Sequence, residues 1–274
     1  MTAPVPDPIA APAADGAPTT YPVDHPSTGP HADTSIVLLH GGNVANWMWE
    51  PQVAGLSDHH LLTPHLPGFG ARAGEPWSSL EATADDVAAL VAAHARGGRA
   101  HVVGLSLGGV VATRLLVRHP EVVESALITG VPLTGVRGAT RWLADLQLRW
   151  WDRRWFWQAQ SRAFGLPAED RELFVDHGLS VTKDNAVRLM REVYDGGVPD
   201  GLPSYRGRLL AIAGEKESSW VRRSFPDLRR AVPQAECRVA PGMHHAWSIE
   251  NVDLFNDVVR AWVHGTVDGR LRPA

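Results

Sequence analysis

Gly104-Leu105-Ser106-Leu107-Gly108 sets a hydroxyl between two glycines, after the apolar run AHVVGL and before the helical pattern GGVVATRLLVRHP. On so sharp a strand-to-helix corner a serine presents its Oγ outward, where it can attack. The backbone there is held in an unfavourable conformation, at a cost on the order of 1–3 kcal/mol. The first amides of the following helix point toward the serine, and the helix's positive end favours a developing anion. Acyl transfer is the chemistry this arrangement suits. A serine hydroxyl is a weak nucleophile near neutral pH, so it needs a base, and the base needs an acid to fix its tautomer.

Partners are to be sought where strands end, because parallel strands deliver their C-terminal loops to one side of a sheet. After RLLAIA come Gly214-Glu215-Lys216-Glu217, with two carboxylates. After AECRVA come Pro241-Gly242-Met243-His244-His245-Ala246-Trp247, with two histidines, and position selects His245 from the 13 histidines of the chain. The chain order is serine, acid, histidine. After SIVLLH comes His40-Gly41-Gly42-Asn43. An oxyanion needs at least two donors at about 3 Å. One is expected from the Leu107 amide, the other from Gly42 or Asn43.

These groups meet only if the right elements carry them. From residue 35 onward, short β-rich runs at 35–40, 59–64, 100–105, 124–129, 208–213 and 235–240 alternate with helical patterns. The alternation predicts an α/β fold with a doubly wound, mostly parallel sheet. LEATADDVAALVAAHAR reads as one amphipathic helix. NVDLFNDVVRAWV reads as another, capped by Asn251, with Phe255, Val258, Val259 and Trp262 on one face. Residues 134–205 are too many for one crossover and are expected to form an inserted helical cap. Residues 19–133 and 206–274 then form the core. The Ala/Pro-rich residues 1–18 are expected to be a disordered tail.

The chain of 274 residues carries a net charge of −4, too mild to argue for nucleic acid or an anionic membrane as partner. It has one cysteine, Cys237, so an intrachain disulfide is excluded. No apolar run approaches the ~20 residues of a membrane span, and the first residues lack a basic start and an apolar stretch free of proline. A cytoplasmic location is the expectation. Within RWLADLQLRWWDRRWFWQAQ lie five of the eleven tryptophans. The Trp151/Trp155 and Trp150/Trp157 spacings predict common helical faces. Most of the five are expected to anchor the cap. Trp151 and Trp155, with Trp47 and Trp247 from the core loops, are the candidates for the pocket wall, and Arg149, Arg153 and Arg154 for the cap's wet face.

With these residues in place, the chain resembles the α/β-hydrolase superfamily from about residue 35 to 265. IVLLHGGNVANWMW is similar to the family's HG oxyanion segment, HLPGFGAR to its D-x-P-G-x-G-x-S turn, and GLSLGG to its nucleophile elbow. AGEKE resembles the G-x-x-D acid loop, which implies Glu217 rather than Glu215. PGMHHAW resembles G-x-G-H, which implies His245 rather than His244. In four places the chain departs from the family pattern. Glu217 stands where aspartate is more common, His244 replaces a glycine, His65 an aspartate and Ala71 a serine.

The resemblance implies a serine hydrolase with Ser106 as nucleophile, His245 as base and Glu217 as its partner. Its substrate would be a small, apolar or ring-bearing ester, lactone or related acyl compound. No cofactor and no metal are implied, and activity should fall as the medium turns acidic and protonates the base. A slow or non-catalytic small-molecule receptor, a perhydrolase and a carbon–carbon hydrolase are the alternatives. Oligomeric state is left open.

Overall fold

The computed structural model describes residues 23–274 except Gly165 and Pro167. The expected tail at 1–18 lies outside the described residues. The inner strands are buried on both faces, as their apolar runs predict. Val37 and Leu39 face one core cluster while Ile36 and Leu38 face the other, and Ala126 and Ile128 oppose Leu127 in the same way. This period of two places a helical layer on each side of the sheet.

In chain order the elements begin with β1 (Asp24–His25), β2 (His31–Leu39), α1 (Glu50–Gly55), β3 (His59–Leu62), α2 (Leu80–His94), β4 (Ala100–Leu105) and α3 (Leu107–Arg118). They continue with β5 (Val123–Thr129), α4 (Gly138–Gln147), α5 (Arg154–Ala163), α6 (Arg171–Ser180) and α7 (Lys183–Asp195). The rest are β6 (Arg208–Gly214), α8 (Ser219–Arg222), α9 (Phe225–Ala231), β7 (Glu236–Ala240), α10 (Trp247–Glu250), α11 (Val252–Val263) and β8 (Arg272–Pro273). The sheet order is β1-β3-β2-β4-β5-β6-β7-β8. The six inner strands are parallel, and β1 and β8 pair antiparallel at the edges.

All six expected strands form. β2 starts at His31, four residues early, across a register shift between His31 and Ser35. β3 ends at Leu62, short of the expected residue 64. The expected cap at Asn251 forms, and a second, at Ser79, appears in the structure. Ser79 Oγ accepts from the Ala82 amide at the start of α2, and Asn251 Oδ1 accepts from the Leu254 amide at 3.1 Å at the start of α11. Phe255, Val258, Val259 and Trp262 are all buried in the second cluster. No helix among the described residues is long and apolar enough to cross a membrane.

Between β5 and β6 the chain runs through the four helices α4–α7. The common-face expectation for Trp151 and Trp155 fails here. Arg153 is extended (φ −107°, ψ 120°) and starts a new helix, so the two tryptophans do not share one. Trp151 and Trp157 are buried edge to face, with centroids 4.6 Å apart, and anchor this segment. Trp151 Nε1 donates to the Val181 carbonyl, and Trp157 Nε1 donates to the Trp151 carbonyl.

Candidate active site

Ser106 is the hinge between β4 and α3, with φ 51° and ψ −114°. Among the described residues only Ser106 and Asn43 (φ 62°) are non-glycine residues with positive φ, and both line one cleft of about 890 Å³. Left-handed backbone is uncommon without glycine, and two such residues at one cleft mark a site where geometry outweighs backbone preference. The elbow is also sterically closed. A Cβ on Gly108 would lie 2.1 Å from the Leu39 carbonyl oxygen.

The loops after the other strands reach the same cleft. Glu217 follows β6 and is buried, and its Oε2 accepts from the Gly214 amide at 3.0 Å. Its Oε1 makes a short hydrogen bond with Nδ1 of His245, which follows β7. The imidazole is half-buried while the carboxylate is almost fully enclosed. Glu215 and His244 have other partners. Glu215 accepts from the Gly242 amide at 2.7 Å and pairs with Arg272, and exposed His244 pairs with Glu250 at 2.9 Å. The structure therefore brings Glu217 and His245 together, and leaves their sequence neighbours at the rim.

The glycine turn after β2 abuts the serine, since a Cβ on Gly41 would lie 3.8 Å from Ser106 Cβ. Gly42, Asn43 and Leu107 all line the cleft. His40 holds this turn from below. Its Nδ1 donates to the Gly41 carbonyl at 2.7 Å and its Nε2 accepts from the Leu66 amide at 3.0 Å, so the ring is fixed as one neutral tautomer. Complete burial pushes its pKa down to about 3, in keeping with that neutral state. His65, at the departure from the family's turn, is also buried and held down to about 4 by desolvation.

Of the four pocket tryptophans expected, Trp47 and Trp151 line the cleft. Trp155 and Trp247 do not, and these two assignments are corrected. Trp155 is 54% exposed on α5, turned outward by the break at Arg153. Trp247 points into the core below the cleft, where its Nε1 donates to Thr129 Oγ1 at 2.8 Å and its ring packs on Phe255. Arg149, Arg153 and Arg154 do not line the cleft, and Arg154 forms exposed ion pairs with Glu172 and Asp176.

Two contributors had no signal in the sequence. Gly130, just past β5, has φ 67°, and a Cβ there would lie 2.7 Å from His245 Cε1 and 3.2 Å from Glu217 Oε1. Phe164, at the end of α5, stacks near-parallel on the His245 ring with centroids 5.9 Å apart. Trp47 Nε1 donates to His177 Nε2 of α6 at 2.8 Å and ties the segment after β2 to the helical segment.

Residues 36–258 match the alpha/beta hydrolase family, and the chain belongs to it. An AB hydrolase superfamily protein of Gibberella zeae is 40% identical over 98 residues, which are 35% of this chain and 35% of that protein. The match thus spans about a third of that relative's length. Carboxylesterase YbfK of Bacillus subtilis is 24% identical over 261 residues, covering 88% of this chain and 84% of that one. Among solved structures, an esterase from Exiguobacterium antarcticum superposes with a TM-score of 0.75 at 19% identity, covering 88% of this chain and 94% of the other.

Proposed function

We propose that this chain is a cofactor-independent serine hydrolase. It cleaves a carboxylic ester, lactone or related acyl bond in a small, apolar or ring-bearing molecule through an acyl-enzyme. The observation that carries this reading is the Glu217–His245 hydrogen bond at the rim of the cleft that also holds Ser106 on its positive-φ elbow. Ser106 Oγ attacks the acyl carbon while His245 takes its proton. The amide of Leu107 and that of Gly42 or Asn43 receive the oxyanion. His245 then protonates the leaving group, and water, deprotonated by the same imidazole, releases the acid. Glu217 keeps the Nδ1 proton in place, so that Nε2 is the free base.

The cleft's wall supports an apolar acyl or alcohol part. Trp47, Leu148, Trp151, Phe156, Trp157 and Phe164 line it, and the arginines of the helical segment stay outside. That segment, residues 134–205, acts as the cap over the core. The esterase names of the relatives support an ester-type bond. The test is a panel of p-nitrophenyl esters of graded acyl length, run with the native protein and with Ser106→Ala. Turnover by the native protein and its loss in the variant, with unchanged folding, is the expected result. Turnover equal in both rules the mechanism out, and stoichiometric acylation without turnover assigns the cleft to a receptor instead.

A further inference from the structure

At the opposite end of the sheet from Ser106, three histidines converge. His31 opens β2 and His59 opens β3, and the two are register partners in the parallel ladder. His264 caps the C-terminal end of α11. The His31 and His59 rings stack with centroids 5.0 Å apart, and His264 meets His31 edge-on at 4.6 Å. One ring nitrogen from each falls within 4.8 Å of the others.

Buried stacked imidazoles are often only packing, but the polar atoms here point further. His59 is 1% exposed, and its Nε2 has no hydrogen-bond partner among the described residues. Its Nδ1 is engaged by Asp58 Oδ1 at 3.1 Å. Asp58 is in turn held by Arg260 through its other oxygen at 2.6 Å, and Arg260 also donates to the Gly55 carbonyl. A carboxylate on one imidazole nitrogen fixes the tautomer and turns the other nitrogen's lone pair outward, the support that metal-binding histidines receive. An unsatisfied buried acceptor calls for an explanation.

We propose that His31, His59 and His264 form a binding site for a divalent transition metal such as Zn²⁺, separate from the catalytic cleft. His59 is the fixed ligand, oriented by Asp58 and Arg260. A tetrahedral Zn²⁺ with nitrogen ligands at about 2.0–2.1 Å brings those nitrogens to about 3.3–3.4 Å from each other. The half-buried His31 and the exposed His264 turn inward to meet it. Water takes the fourth position. The metal ties together two strand starts and the last long helix, positions 31, 59 and 264 of the chain, and so stabilises the folded state by binding it alone.

The experiment uses tag-free, chelator-treated full-length protein, titrated with Zn²⁺ by calorimetry and with Co²⁺ by visible absorption. One equivalent is expected to bind, with the d–d bands of a nitrogen-rich site. The melting temperature should rise by about 5–10 °C at Zn²⁺ near 100-fold above Kd. His264→Gln, an exposed change, and His31→Gln should each weaken binding at least about 10-fold. His245→Gln, in the cleft, should leave it unchanged. Absence of saturable binding overturns the proposal. So does binding that survives unweakened in both His264→Gln and His31→Gln.

Discussion

Glu217 gives one carboxylate oxygen to His245 Nδ1 and the other to the Gly214 amide, which is 3.0 Å away. The acid is therefore fixed by the strand end that carries it, and it fixes the imidazole in turn.

Glu217→Gln should keep the shape and lose the charge. It is expected to lower kcat by ~10³–10⁴ with little change in KM, because the amide no longer enforces the tautomer or steadies the imidazolium. Glu215→Gln should stay within a few-fold of native, since Glu215 serves only the rim. Steady-state kinetics on one activated ester compares the two. Equal losses would contradict the assignment.

Gly130→Ala places a methyl against His245 and demands positive φ of a residue with a Cβ. The backbone cost is on the order of 1–3 kcal/mol, and the imidazole must shift from its present position. The expected outcome is a drop of ~10²-fold in kcat with the far-ultraviolet circular dichroism retained. Native kcat in this variant would show that His245 does not need its present position.

Stability should depend on pH through buried histidines that take no proton in the reaction. Burial holds His40 down to about 3, and His65 and His101 down to about 4, from the ordinary 6.5. Between those values the unfolded chain binds protons that the folded chain refuses. The stabilisation is thus complete above pH 6.5 and is lost progressively as pH falls toward 3–4. Each tenfold difference in proton affinity is worth ~1.4 kcal/mol, so urea midpoints should fall steeply between pH 6.5 and 4.5. His101→Asn, which removes one of the three groups, should flatten that slope. A midpoint constant over this range would refute the prediction.

The two tryptophan fates in the helical segment predict opposite phenotypes. Trp157 is 1% exposed and Trp155 is 54% exposed. Trp157→Ala should destabilise by ~3–5 kcal/mol, whereas Trp155→Ala should change stability by less than about 0.5 kcal/mol and leave KM unchanged. Denaturant melts and kinetics on both variants check this.

The inner strands were legible in the sequence because burial on both faces leaves continuous apolar runs, and loops at strand ends narrowed the search for partners to a few residues. The edge strands β1 and β8 were not, since two residues carry no periodicity. The spacing of Trp151 and Trp155 misled because a spacing argument holds only inside one helix, and Arg153 breaks it. Trp247 stands two residues from His245, yet its ring turns into the core toward Thr129, a direction that position in a loop does not reveal. Gly130 and Phe164 escaped because each acts through contact with His245 across large sequence separations. The same is true of the three-histidine cluster, whose members are adjacent only once the sheet and α11 are assembled.

The proposed mechanism requires Ser106 to be the activated nucleophile. Treating the protein with a fluorophosphonate and mapping the adduct by peptide mass spectrometry tests it most directly. The account predicts one adduct per chain, on the peptide carrying Ser106, absent in Ser106→Ala and much slowed in His245→Gln. An adduct on another residue, or none in the folded native protein, would contradict it.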